Sequence, residues 1–244
     1  MVPLRSSVLR VGPLVLAALV GVIVLDGGFV YDDSSAIVEN PIVNGQAPLW
    51  EAFVRDFWGR PARQGFTTWR PLMPMVWAQL WAWWPGNPLP FRIASVLLHV
   101  FAVAMAMRFV HHLEPSRGWA AAVGTLFALH PLNTEAVSAI VAQADLLSFA
   151  LVLLACTIAL RPASVRAGAL CAFVFLVASL VKESALIFMP VAVLLFALRP
   201  GSARARWLAI SPVAFAGIAL IAFQLAMPRA PGISMVASNL AHQA

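Results

Sequence analysis

The chain has 244 residues, of which 61% are hydrophobic and 11% charged, and its mean hydropathy is +0.87. These values exclude a soluble globular domain and point to an all-α polytopic membrane protein. The net charge of +6 would suit nucleic acid only if the arginines formed a basic face; they are scattered through loops, so no nucleic-acid partner is expected and the lipid bilayer is.

In chain order, the first apolar segment runs from Val11 to Leu25, with Arg5 and Arg10 before it. It would also suit a secretory signal, but no small-residue cleavage site follows, so a retained anchor is expected. Further candidate spans lie at Phe91 to Val110, Trp119 to Leu129, Asp145 to Leu160, Ala167 to Val181, Ser184 to Leu198 and Trp207 to Met227, seven in all, several below the roughly 17 residues a span usually needs. One domain over residues 1–228 is expected, with residues 229–244 an outer tail or the start of a continuation. Cys156 and Cys171 fall inside spans at no metal-ligand spacing and read as buried filler.

A cytoplasmic N-terminus makes Arg5, Arg10, Arg108, Arg117, Arg161, Arg166, Arg199, Arg204 and Arg206 cytoplasmic together, as the positive-inside rule expects. Nine of the ten acids then fall on the outer side, leaving Glu114 inside. The expected setting is a bacterial inner membrane with the site on its outer, periplasmic face.

The long polar loop, residues 26–90, carries seven of the nine tryptophans. In "PLMPMVWAQLWAWWPGNP", Trp77, Trp81 and Trp84 share one helix face, which predicts a helix lying in the membrane interface. "APLWEAFVRDFWG" predicts a second short amphipathic helix closed by Gly59. The loop is expected to fold back as a lid over an outward site.

Five polar clusters are candidates for chemistry. Asp32 and Asp33 in "YDDSS" point different ways as neighbours, so one carboxylate can face a substrate while the other holds the loop or a cation; the competing reading is a polar stop after a span. Arg70 in "TTWRPL" is suited to clamp a phosphate or to anchor to headgroups. Arg92 and His99 share one face of the second span. In "LHPLNTEAVSAIVAQADLL", Asn133 or Thr134 is expected to cap a helix with Glu135 in its first turn, whereas Asp145 opens an apolar run, where an ionisable group is costly and defaults to function. In "LVKESA", Lys182 and Glu183 either serve a site or form a mutual ion pair.

The ordered series "YDDSSAIVENPIV", "TTWRPL", "FRIASVLLHV", "LFALHPLNTEAVSAIVAQADLLSFALVLLA" and "LVKES" resembles the membrane half of the transmembrane and tetratricopeptide repeat-containing O-mannosyltransferases and their bacterial relatives, over roughly residues 25–190. These are C-superfamily glycosyltransferases, so the resemblance implies a helical bundle with an outer-face loop carrying interfacial helices. It implies a polyprenyl or dolichyl phosphate sugar donor and a protein or glycan acceptor. By the same resemblance Asp32 is the catalytic carboxylate, Asp33 fills the second acidic place, and Asp145 is the carboxylate of the second outer loop. Arg70, His99 and Lys182 are then candidates for donor phosphate contacts; Glu135 and Glu183 are further candidates for substrate binding. No cofactor is required by the sequence; the carboxylates would also suit a divalent metal such as magnesium, calcium or manganese. The chain lacks a tetratricopeptide domain and has fewer spans than the family shows, the pattern of a fragment. The rival reading is a transporter or lipid flippase using Asp145, Lys182 and Glu183 as a midplane relay; no inverted repeat supports it. A structural membrane subunit is a third.

Overall fold

A computed structural model describes residues 2–61 and 68–227, with side chains from Val8 onward. The segment 229–244 lies outside the described residues. The fold is all-α, with no strand among the described residues. Nine α-helices are described: α1 (Val2–Val22), α2 (Leu72–Trp83), α3 (Leu89–Leu113), α4 (Arg117–Leu129), α5 (Pro131–Ser138), α6 (Gln143–Ala159), α7 (Val165–Val181), α8 (Met189–Ala197) and α9 (Ala203–Ala226).

Three helical segments are long and apolar enough to cross a membrane: Leu89–Leu113, Ile140–Ala159 and Ala203–Ala226. The segments Val8–Val22, Val165–Val181 and Glu183–Ala197 are apolar but shorter. The expected span at Trp119 to Leu129 is only the 13-residue α4, stopped by Pro131, whose ring cannot continue the hydrogen-bond ladder.

Two apolar cores run through the bundle. In the first, Cys156, Cys171, Phe175, Phe196 and Val213 bring α6, α7, α8 and α9 together. Small residues set the spacing: an added Cβ at Gly168 of α7 would sit 2.2 Å from the carbonyl oxygen of Ala209 of α9. Such backbone approach is how apolar helices gain contact where lipid supplies no hydrophobic drive. In the second, Ala17, Val103 and Ala128 join α1, α3 and α4.

The loop between α1 and α3 forms a third core, in which Ile37, Val43, Phe57, Met73 and Trp77 pack on Phe91, Ile140 and Val181 at one end of the bundle. Of the predicted stripe, Trp77 and Trp81 therefore face protein, while Trp84, just past the end of α2, is exposed. Trp77 is fully buried and donates from Nε1 to Gln143 Oε1 at 2.9 Å. The Gln143 amide in turn donates to Phe91 O (2.6 Å) and Ser95 Oγ (2.9 Å), so one satisfied polar network ties α2 to α3 and α6. Trp83, off that face, is exposed as well.

The segment expected as a second amphipathic helix is a single 3₁₀ turn, Leu49–Phe53. Asp56 ends it: its Oδ1 accepts the N–H groups of Trp58 (3.0 Å) and Arg60 (2.8 Å), a local bond that competes with helix. Gly59 follows at φ 78°, and a Cβ there would meet Asn40 Oδ1 at 2.6 Å.

Candidate active site

After α1 the chain breaks at Gly27 and Gly28 and turns at Tyr31, whose φ of 48° is the one positive value among described non-glycine residues. A left-handed residue with a bulky side chain costs of order 1–3 kcal/mol and persists only where its surroundings fix it. Here the fixing group is Asp33. Its carboxylate is fully buried and accepts the N–H groups of Val30 (3.3 Å) and Val141 (2.9 Å), the latter from the turn that leads into α6. Burial raises its pKa above the usual range, opposed by these donors and by the Arg92 charge.

Arg92 holds the same corner from below. It is 3% exposed and its guanidinium donates to the carbonyl oxygens of Gly27 (Nε, 2.8 Å), Gly28 (Nη2) and Ser138 (Nη1, 2.7 Å). A Cβ at Gly27 would lie 2.6 Å from the guanidinium carbon, so glycine is required for the approach. Arg92 and Asp33 thus staple the Asp32 loop to the α5–α6 connection.

The consequence is that Asp32 is turned outward. It is exposed and lines a cavity of about 440 Å³ together with Tyr31, Glu135 of α5 and Asp145 in the first turn of α6. Three predicted carboxylates therefore face one space. Helix α5 does not start as expected: His130 is its cap, with Nδ1 accepting the N–H of Leu132 at 3.3 Å, and Glu135 lies beyond the first turn. Asn133 instead donates to Phe127 O at 2.5 Å, bridging the break at Pro131.

Asp145 and Ala136 also border a second cavity, of about 510 Å³, which runs between α6 and α8 and is lined by Phe109, Phe127, Phe149, Phe188, Val152 and Val191. Lys182 stands at its polar end, ion-paired with Asp145. A polar chamber and an apolar groove thus meet at one carboxylate and one ammonium.

Lys182 and Glu183 do not pair with each other. Glu183 takes Arg70 in a two-pronged bond, Nε to Oε2 at 2.8 Å and Nη2 to Oε1 at 2.7 Å, with the guanidinium over the Phe57 ring at 5.1 Å. Lys182 ends α7 in extended backbone, which sends the two side chains to different partners. Arg70 lines neither cavity among the described residues; a donor phosphate would have to reach its free Nη1. His99 is not brought to the site. It is fully buried in mid-α3, with Nε2 3.3 Å from Ala128 O and its ring stacked on Phe127 at 6.1 Å, which separates it from the groove. Gln143, which helps position the site, was not among the candidate residues; Arg92 was, but only as sharing a face with His99, and the signal for its clamp is an arginine at a span entrance opposite a Gly-Gly break.

The carboxylate oxygens suit a hard cation. No group of three His, Cys, Asp or Glu among the described residues is placed to hold one.

No family model matches the chain and no solved structure matches it. Among curated proteins it is 39% identical over 133 residues to protein O-mannosyl-transferase Tmtc1 of Drosophila melanogaster, covering 54% of this chain and 16% of that protein. It is 32% identical over 176 residues to a protein O-mannosyl-transferase of Caenorhabditis elegans, covering 69% of this chain and 25% of that protein. It is 39% identical over 136 residues to the human protein O-mannosyl-transferase TMTC1, covering 54% and 15%. The matches thus span between about a seventh and a quarter of the length of these relatives.

Proposed function

We propose, taking as premise that the chain is a homologue of the protein O-mannosyl-transferases, that it carries the catalytic corner of a transferase moving a sugar from a polyprenyl or dolichyl phosphate to a protein hydroxyl. The observation that carries this reading is the meeting of a carboxylate-lined chamber with an aromatic groove at Asp145 and Lys182. The groove is suited to an isoprenoid tail, and the chamber to the sugar and its acceptor.

In this reading the tail lies along Phe109, Phe149 and Phe188, and the phosphate stops at Lys182. One ammonium proton is committed to Asp145, which aims the side chain; two remain for phosphate oxygens. Asp32 takes the proton from the acceptor hydroxyl as that oxygen attacks the anomeric carbon. The bond from that carbon to the phosphate oxygen breaks, and the lipid phosphate leaves with the electron pair, its charge balanced by Lys182. The displacement inverts the anomeric centre and needs no covalent enzyme intermediate. In this reading the site faces the outer side of the membrane and the N-terminus the cytoplasm, an orientation that the arginine distribution supports.

The transporter reading requires charges near mid-membrane. Asp145 lies in the first turn of α6 and Lys182 at the end of α7, both at helix ends beside the loop core, and no observation favours that reading. Lys182→Ala is expected to weaken binding of a polyprenyl phosphate sugar about tenfold, the scale of one partly exposed charge-assisted hydrogen bond, measured with labelled donor on the purified protein. Unchanged donor affinity would leave Lys182 as the partner of Asp145 and nothing more.

A further inference from the structure

At the other end of the bundle, away from Asp32, a third cavity of about 570 Å³ lies between the start of α1, the end of α3 and the start of α4. Its lining carries Arg10 from α1, Arg108 and His111 from α3 and Arg117, the first residue of α4, beside the apolar Leu14, Ala104 and Met107. The distance from the outer corner follows from α3 itself: Arg92 and Arg108 are sixteen residues apart on one helix, roughly 24 Å of rise. That approaches the roughly 30 Å hydrocarbon thickness of a bilayer.

None of the three guanidinium groups has a carboxylate partner or a side-chain hydrogen bond among the described residues. Three like charges from three separate helices converge on one space, which is unfavourable without a counter-charge. Arg117 adds to the cost, because it puts a cation on the positive end of the α4 dipole, where an anion is favoured. Arginines that merely mark the cytoplasmic side have no reason to share a cavity. The apolar part of the lining offers acyl chains a contact surface that a free phosphate cannot use.

We propose that this cavity binds the headgroup phosphate of an anionic phospholipid of the leaflet opposite the catalytic corner, held by Arg10, Arg108 and Arg117 with the acyl chains against Leu14, Ala104 and Met107. Guanidinium forks match phosphate oxygens two at a time. The site stands independently of the transfer reaction.

The test is thermal unfolding of the purified full chain in neutral detergent, titrated with phosphatidylglycerol, with phosphatidylcholine and with inorganic phosphate. Phosphatidylglycerol is expected to raise the midpoint saturably, while the other two leave it unchanged. The Arg10→Gln, Arg108→Gln, Arg117→Gln triple variant is expected to bind phosphatidylglycerol on the order of 100-fold more weakly, the product of three surface arginines facing an anionic lipid. The three side chains are exposed, so the variant's midpoint without lipid should match that of the parent. The corresponding triple lysine variant should retain binding within about tenfold, since charge survives while the fork is lost. A response to inorganic phosphate equal to that of phosphatidylglycerol would assign the cavity to a soluble anion. Equal shifts with phosphatidylcholine, or undiminished phosphatidylglycerol binding by the glutamine triple, would overturn the site.

Discussion

Asp32→Asn is expected to lower turnover by about 10² to 10⁴, the range a positioned general base contributes, with donor affinity and thermal stability unchanged. Asparagine is nearly isosteric and cannot take the acceptor proton. The stability half of the prediction follows from the exposure of Asp32, which makes no side-chain hydrogen bond among the described residues. Exposed substitutions away from such features usually shift stability by less than about 0.5 kcal/mol. Asp33→Asn separates the two acids. Its carboxylate accepts from two backbone N–H groups, so an amide there turns one acceptor into a donor facing a donor, and the expected loss is in stability first. The measurement is single-turnover transfer beside a melting curve for each variant. Full transfer by Asp32→Asn would return "YDD" to a polar stop after a span.

Arg92→Met should be the most destabilising change at the corner, by about 3–5 kcal/mol. Each hydrogen bond from a charged donor contributes roughly 1.5–3 kcal/mol net, and because Gly28 is exposed and Gly27 and Ser138 are half-buried, water takes up part of the loss when the guanidinium is removed. Three carbonyls depend on Arg92, those of Gly27, Gly28 and Ser138. The methionine fills the stem but offers no donor. Arg92→Lys should recover only a fraction, since one ammonium cannot fork to carbonyls on two separate segments. The chain's two cysteines, Cys156 and Cys171, are both buried, so a thiol-reactive dye reports unfolding directly. A midpoint equal to the parent's would mean that the guanidinium contributes nothing net. Activity should fall with stability, because the loop that presents Asp32 is what the clamp holds.

The parts of this arrangement legible in sequence are those set by local periodicity and by the bilayer. Apolar runs located the helices, and the crowding of acids near helix ends brought Asp32, Glu135 and Asp145 into consideration together; they line one cavity. Long-range pairing was not legible. The stripe of Trp77, Trp81 and Trp84 indicates that a helix face is covered, but not whether lipid or protein covers it. Gln143, sixty-six residues away, decided that for Trp77 by accepting its N–H, whereas Trp84, past the end of α2, is exposed. Likewise "KE" suggests a local ion pair, and only the extended backbone at Lys182 sends Glu183 to Arg70 and Lys182 to Asp145. The cap of α5 was misjudged because histidine is a rare cap, and the break at Pro131 leaves the His130 ring as the nearest acceptor. His99, a polar residue within an apolar helix, has Nε2 at the Ala128 carbonyl oxygen and Nδ1 buried without a partner among the described residues, and it lines neither cavity.

The central claim, that the chain's chemistry runs on a lipid-linked sugar, is tested most directly by donor choice. The full chain, reconstituted in vesicles with a hydroxyl-bearing protein acceptor, is given either polyprenyl phosphate mannose or a nucleotide mannose, each labelled in the sugar. The account predicts alkali-labile label on the protein from the lipid phosphate donor alone, lost in Asp32→Asn. Label from the nucleotide sugar alone, or equal label from the Asp32→Asn protein, would contradict it.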